Sequence, residues 1–204
     1  MKRTLTSLLL VLIGTTLSAC QRDTAPADLS PLPSALPDPS SAGAYICDYG
    51  DAGIPAKAVE LMTGLSADLE WSGHFDLGPA PVATANLCEV SSRNDPAQGA
   101  VLEIYLADLG EEWKDNVFDK RLRAGGTPMP ELLPDAIGVY WAGPTADYGP
   151  VRGKPNPSNE ARAYLFRNGT EIGIRLKHGA AGRDNAADVL ALMKLVAPAL
   201  MPGT

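Results

Sequence analysis

Histidine and cysteine are scarce in this 204-residue chain, which has two of the first and three of the second. His74 and His178 stand far from each other and from the cysteines, so the ligand spacing that zinc needs is missing. No metal and no other cofactor is expected. The motifs that announce an activated nucleophile or a bound phosphate are also missing. There is no Gly-x-Ser-x-Gly elbow, no His-Glu-x-x-His, no Ser-x-x-Lys and no phosphate-cradling glycine loop. No catalytic residue can be assigned, and the chain is not expected to be an enzyme. The one catalytic device left open is a pair of carboxylates, because such pairs are assembled in space rather than in sequence.

Basic charge is in deficit as well. Seventeen Lys and Arg face twenty-four Asp and Glu, a formal net charge of −7. That balance argues against nucleic acid as a partner and against polybasic docking on anionic lipid. No apolar run reaches the ~20 residues of a membrane-spanning helix, and no clear internal repeat suggests a solenoid.

What the sequence does have begins at its first residues. Lys2 and Arg3 precede an apolar run from Leu8 to Ile13, which ends in Leu17-Ser18-Ala19-Cys20. This is the charged, apolar and small-residue order of a secretory signal peptide, here residues 1 to 19. The four residues at the cut resemble the lipobox of bacterial lipoproteins. That resemblance implies that Cys20 is the lipid attachment site, carrying acyl chains of the palmitate kind, and two such chains suffice for stable anchoring. Residues 20 to 44 then hold Pro26, Pro31, Pro33, Pro37 and Pro39 among small polar residues. The composition predicts a linker able to lift a domain roughly 70 Å from a bilayer at about 3.1 Å per residue.

Residues 45 to 204 have the length of one domain with a sizeable core. With Cys20 spent on lipid, Cys47 and Cys88 are an even pair in an oxidising compartment, and a disulfide is the economical reading. Ile54 to Gly64 reads as a helix with Pro near its start and Gly at its stop. From Leu69 to Leu77 apolar and polar residues alternate, the pattern of a strand with one buried face, and His74 falls on its wet side. Strands are predicted over 86 to 91 and 100 to 107, a helix over 110 to 123, and a strand over 137 to 141. A final helix starts from Asp184 or Asn185, buries Val189, Leu192, Met193 and Val196 along one stripe, and stops at Pro198.

The best local signal is Asn168-Gly169, which fits a two-residue type I′ turn between 161–167 and 170–177. In that register Leu165 faces Ile172, Ala163 faces Ile174 and Ala161 faces Leu176, an apolar side destined for the core. The opposite side sets Phe166 against Glu171, Tyr164 against Gly173 and Arg162 against Arg175. Like charges opposite each other destabilise unless an acid stands near. Tyr164 could cover the Gly173 gap, or this side could meet a helix, or Tyr164 and Phe166 could form a binding patch.

The order of lipobox, proline-rich linker, paired cysteines, Thr63-Gly64-Leu65, Ile137-Gly138-Val139-Tyr140 and Asp184-Asn185-Ala186-Ala187 resembles a family of actinomycete envelope lipoproteins of unknown function. The resemblance implies a secreted, disulfide-linked α+β domain and imports no catalytic residue. The fold expected is a largely antiparallel sheet of about six strands with three helices, ordered helix-βββ-helix-βββ-helix. The function expected is an extracytoplasmic, membrane-anchored binding or interaction module of the cell envelope, its partner an envelope protein or a small-molecule or lipid ligand. A lipid or small-molecule carrier with an apolar cavity is the alternative, and a paired-carboxylate envelope hydrolase a third. Metabolic labelling with an alkyne fatty acid should mark the Cys20 peptide, and Cys20→Ser should abolish the label. An unmodified Cys20 peptide in exported protein would remove the anchor from the account.

Overall fold

A computed structural model describes residues 28–49, 52–65, 68–75, 77, 86–110, 113–143 and 159–202. The leader, Cys20 and the first part of the linker lie outside these residues, as do Glu111 and Glu112. Two short strands, β1 (Tyr45–Tyr49) and β2 (Ala52–Pro55), pair antiparallel and lead into helix α1 (Ala56–Thr63). Strands β3 (Leu69–His74), β4 (Leu87–Ser92) and β5 (Ala100–Asp108) follow, with a single 3-10 turn at Pro96–Gln98. Helix α2 (Trp113–Arg123) comes next. The second set of strands is β6 (Thr127–Pro128), β7 (Ile137–Ala142), β8 (Ala161–Arg167) and β9 (Thr170–Leu176), and helix α3 (Asn185–Leu200) closes the order.

Seven of the strands form one antiparallel sheet in the order β3-β4-β5-β9-β8-β7-β6. This is the expected α+β architecture of three helices on an antiparallel sheet. Two additions were not foreseen. The β1–β2 pair lacks the alternation that marks a strand in sequence, and β6 is only two residues long and contains Pro128. Proline is tolerated there because β6 is an edge strand and needs no donor on its outer side.

Local chemistry explains the element ends. Gly64 adopts φ 74° and its N–H donates to Glu60, closing α1 with a left-handed residue that costs glycine no Cβ clash. Asn168 and Gly169 have φ 50° and 79°, as a type I′ turn requires. The hairpin register is the predicted one at every pair from Arg167–Thr170 to Ala161–Leu176. The Asp184 side chain accepts from the Ala187 N–H at 3.0 Å, capping α3.

One sheet face carries the main core. Cys88, Val90, Leu102, Ile104, Ile172, Ile174, Leu176 and Leu165 meet α1 and α3, whose Val59, Met62, Val189, Leu192, Met193 and Val196 are fully or almost fully buried. The α3 stripe is therefore core, but Pro198 does not end the helix, which runs on to Leu200. A proline one turn from a helix end forfeits a single hydrogen bond, and buried Leu200 and Met201 offset that loss.

Strand β3 departs from its expected one-sided burial. Its register puts Leu69, Trp71 and Gly73 on the core face, opposite Ser92, Val90 and Cys88. Yet Trp71 and the following Leu77 are exposed, while Phe75 is buried. The reason is position. β3 is the sheet edge; α3 packs chiefly on β7, β8 and β9, α1 on β1, β2 and α3, and the main neighbour of β3 besides β4 is the short strand β1.

The linker also departs from a free stalk. Leu32 joins the core cluster, and Arg183, held by Asp188 at 2.6 and 2.7 Å, donates to the carbonyls of Asp28 and Ser30. From Asp28 onward the chain is tied to the domain.

Cys47 and Cys88 form the expected disulfide, joining β1 to β4 across a sequence separation of 41. Closing a loop of that size restricts the unfolded chain by about 4 kcal/mol. Replacing both cysteines by serine should lower unfolding stability by that order in urea titrations, with the native spectrum retained. An unchanged midpoint would mean that the β1–β2 pair is held by packing alone.

Candidate functional site

The second sheet face is built from the alternate residues of the same strands, and only part of it is covered. On the β7–β8 side Val139, Trp141 and Tyr164 form a small buried cluster with Phe118 and Leu122 of α2 packed against it. Of the three readings of this face, the meeting with a helix is the one the packing shows. Tyr164 and Phe166 are only 3% and 7% exposed, so the patch proposed from the sequence lies in packed structure. The space remaining between α2 and these strands is ≈ 10 Å³, too little for a ligand.

Gly173 sits on the central strand, opposite Tyr105 on one side and Tyr164 on the other. A Cβ there would lie 2.2 Å from the Tyr105 ring. Tyr105, not Tyr164, fills the glycine gap by lying across β9. Tyr164 instead packs against Trp141, with ring centroids 5.5 Å apart, and takes the Arg121 guanidinium over its face at 3.6 Å.

Around these rings runs a chain of charges. Arg121 of α2 reaches down to Glu171 of β9 with two hydrogen bonds. Tyr105 donates to the same carboxylate at 2.8 Å and accepts from Arg175 at 3.3 Å. Arg175 also donates to the Tyr164 hydroxyl at 3.3 Å and lies 3.8 Å from Glu103, whose other oxygen takes Lys177. The like-charged pair seen in the sequence is thereby relieved. Glu160 holds Arg162 at 3.0 Å, and Glu103 stands beside Arg175.

Burial, and then the neighbouring Glu171 charge, push the Tyr105 phenol far above its ordinary range, so it acts as a fixed donor. Burial opposes the Arg121 charge, but its hydrogen bonds to Glu171 and the attraction between them outweigh that cost and raise its pKa.

A groove of ≈ 500 Å³ opens between α2 and the β4–β5–β9 part of the sheet. Tyr105 and Glu103 of β5 and Glu171 and Arg175 of β9 form its floor. Leu87 of β4 bounds one side, and Leu109, Val117 and Arg121 bound the other. Sequence reasoning missed Glu103, Tyr105, Leu87 and Arg121 as site residues. The alternation of β5 places Glu103 and Tyr105 on its polar side, but their meeting with Arg175 and Gly173 depends on the β5–β9 pairing, which no local signal announces. Arg121 reads in sequence as a helix-dipole complement, whereas its partner lies 50 residues away.

Among the described residues no cluster of His, Cys, Asp or Glu could hold a metal ion, and no helix is long and apolar enough to cross a membrane. The exposed His74 lies at the sheet edge. The site is thus a mixed-charge groove on the half-covered face of an antiparallel sheet. The chain matches no protein-family model, no curated protein and no solved structure.

Removing one partner of a buried ion pair leaves the other charge uncompensated, at a cost of about 3 kcal/mol or more. Glu171→Gln should lower stability by about that much in urea or thermal unfolding. The double substitution Arg121→Met with Glu171→Met should recover most of the loss. A loss below about 1 kcal/mol for Glu171→Gln would show that α2 docks without the pair.

Proposed function

We propose that this chain is an extracytoplasmic, lipid-anchored binding module whose ligand site is the groove between α2 and the β4–β5–β9 part of the sheet. The observation that carries the reading is the groove's floor. Small-molecule sites occupy about 300–1,000 Å³ and combine apolar walls with a few placed polar groups, and a volume of ≈ 500 Å³ over Tyr105, Glu171 and Arg175 fits that description. Its polar side chains are held by one another, so little freedom is lost when a ligand enters.

The carrier alternative calls for an enclosed apolar interior, and the groove is open and floored by charge. The hydrolase alternative calls for two carboxylates about 5 to 9.5 Å apart. The floor offers Glu103 and Glu171, but each is held in ion pairs, Glu171 by Arg121 and Glu103 by Lys177 and Arg175. Carboxylates already spent on structural pairs favour binding over hydrolysis.

Ligand-observed NMR of the mature chain carrying Cys20→Ser, against a fragment set of anionic, neutral and cationic members, tests the reading. Fragments should bind, and Leu109→Trp, which fills the groove from its wall, should remove their signals while leaving the unfolding midpoint within a few degrees. Signals that survive Leu109→Trp, or no signals at all, would overturn the assignment.

A further inference from the structure

The charges that line the groove cancel. Glu103 and Glu171 stand against Arg121 and Arg175, and just outside them Glu89, opposite Glu103 on β4, is matched by Lys177, which pairs with Glu103. Each lining charge is already engaged. Arg121 holds Glu171 and covers the Tyr164 ring, and Arg175 is taken up by Tyr105, Tyr164 and Glu103. Glu171 is 3% exposed and both its oxygens are occupied. An ion of either sign entering here loses hydration and meets no opposite charge that it could claim without breaking an existing pair.

Two features of the lining remain for a ligand. Glu103 has one oxygen on Lys177, while the other stands 3.8 Å from Arg175, beyond hydrogen-bond distance. Its charge is compensated, but an ionised carboxylate can accept about four hydrogen bonds, so acceptor sites are left over. That combination suits a neutral donor such as a hydroxyl. Leu87, exposed at 38%, together with Leu109 and Val117, supplies apolar contact along the walls. We propose that the groove takes an uncharged amphiphile, a hydroxyl-bearing head on an apolar body, with the head on Glu103 and the body against Leu87, Leu109 and Val117. This rests on the groove being a binding site and adds the ligand's chemistry.

Four probes with similar bodies separate the possibilities: octan-1-ol, its isomer 1-methoxyheptane, which has no donor, octanoate and octylammonium. Each is titrated at pH 7.5 by ligand-observed NMR, below its micellar concentration, into the whole mature chain carrying Cys20→Ser. Octan-1-ol should bind several-fold more tightly than 1-methoxyheptane, the worth of one hydrogen bond, and several-fold more tightly than either ion. A merely greasy groove would also prefer neutral probes, so the decisive readout is a change of head-group order when the charge balance is tipped. Glu103→Gln removes one negative charge and should raise octanoate relative to octan-1-ol. Lys177→Gln, at a position 38% exposed, removes one positive charge and should raise octylammonium instead. An ion that matches octan-1-ol in the unsubstituted protein, an ether that matches the alcohol, or a head-group order that neither substitution moves would overturn the ligand class while leaving the groove as a binding site. No signal from any probe, in protein with a normal unfolding midpoint, would bring down the groove reading itself.

Discussion

The Arg121–Glu171 pair is the constraint on which the second face of this protein depends. Among the described side chains of helix α2, Phe118 and Leu122 pack against the Trp141–Tyr164 cluster, and Val117 lies at the groove wall. Arg121 adds a polar hold, through two hydrogen bonds to Glu171 and a face-on contact with Tyr164. The contrast with α3 is plain, since that helix buries Val189, Leu192, Met193 and Val196 completely. Hydrophobic burial fixes α3 as part of the core, whereas an ion pair ties α2 to β9 at the border of the groove.

Burying a charged pair is an expensive way to dock a helix. Well-packed apolar residues of similar volume are often as stabilising or more so. The pair here does something apolar residues could not. Glu171 also accepts a hydrogen bond from Tyr105, and Tyr105 in turn orders Arg175, so one carboxylate positions three side chains across α2, β5 and β9. Gly173 makes this geometry possible, because any side chain at that point would occupy the space of the Tyr105 ring. A strand-central glycine, usually a weakness, here opens the sheet surface to a ring from the neighbouring strand.

The parts of the fold legible in sequence were those set by near neighbours. The Asn168-Gly169 turn dictates the register of fourteen residues because the turn type and the strand pleat admit one solution. The disulfide follows from counting cysteines once an oxidising compartment is expected, and the α3 stripe from spacing of three and four residues. What was not legible depends on which strand lies beside which. Trp71 has the alternation of a buried residue yet stands exposed, because β3 is the sheet edge and the helices pack chiefly elsewhere. Tyr164 looked like the cover for Gly173, but the pairing of β5 with β9 gives that position to Tyr105. Half of the site was thus visible as the polar side of the β8–β9 hairpin, and the other half arrives from β5 and α2 through non-local contacts.

Arg183 gives the start of the described chain a definite location on the domain. It grips the backbone at Asp28 and Ser30, and Leu32 is drawn into the core, so the chain joins the domain at Asp28. Were Cys20 embedded in a bilayer, the leash from Cys20 to Asp28 would measure about 25 Å at its longest in polyproline form. Such a leash is shorter than the domain is wide. It would hold the protein almost in contact with the lipid surface, with the beginning of α3 turned toward it, and would limit it to molecules found within that thin layer.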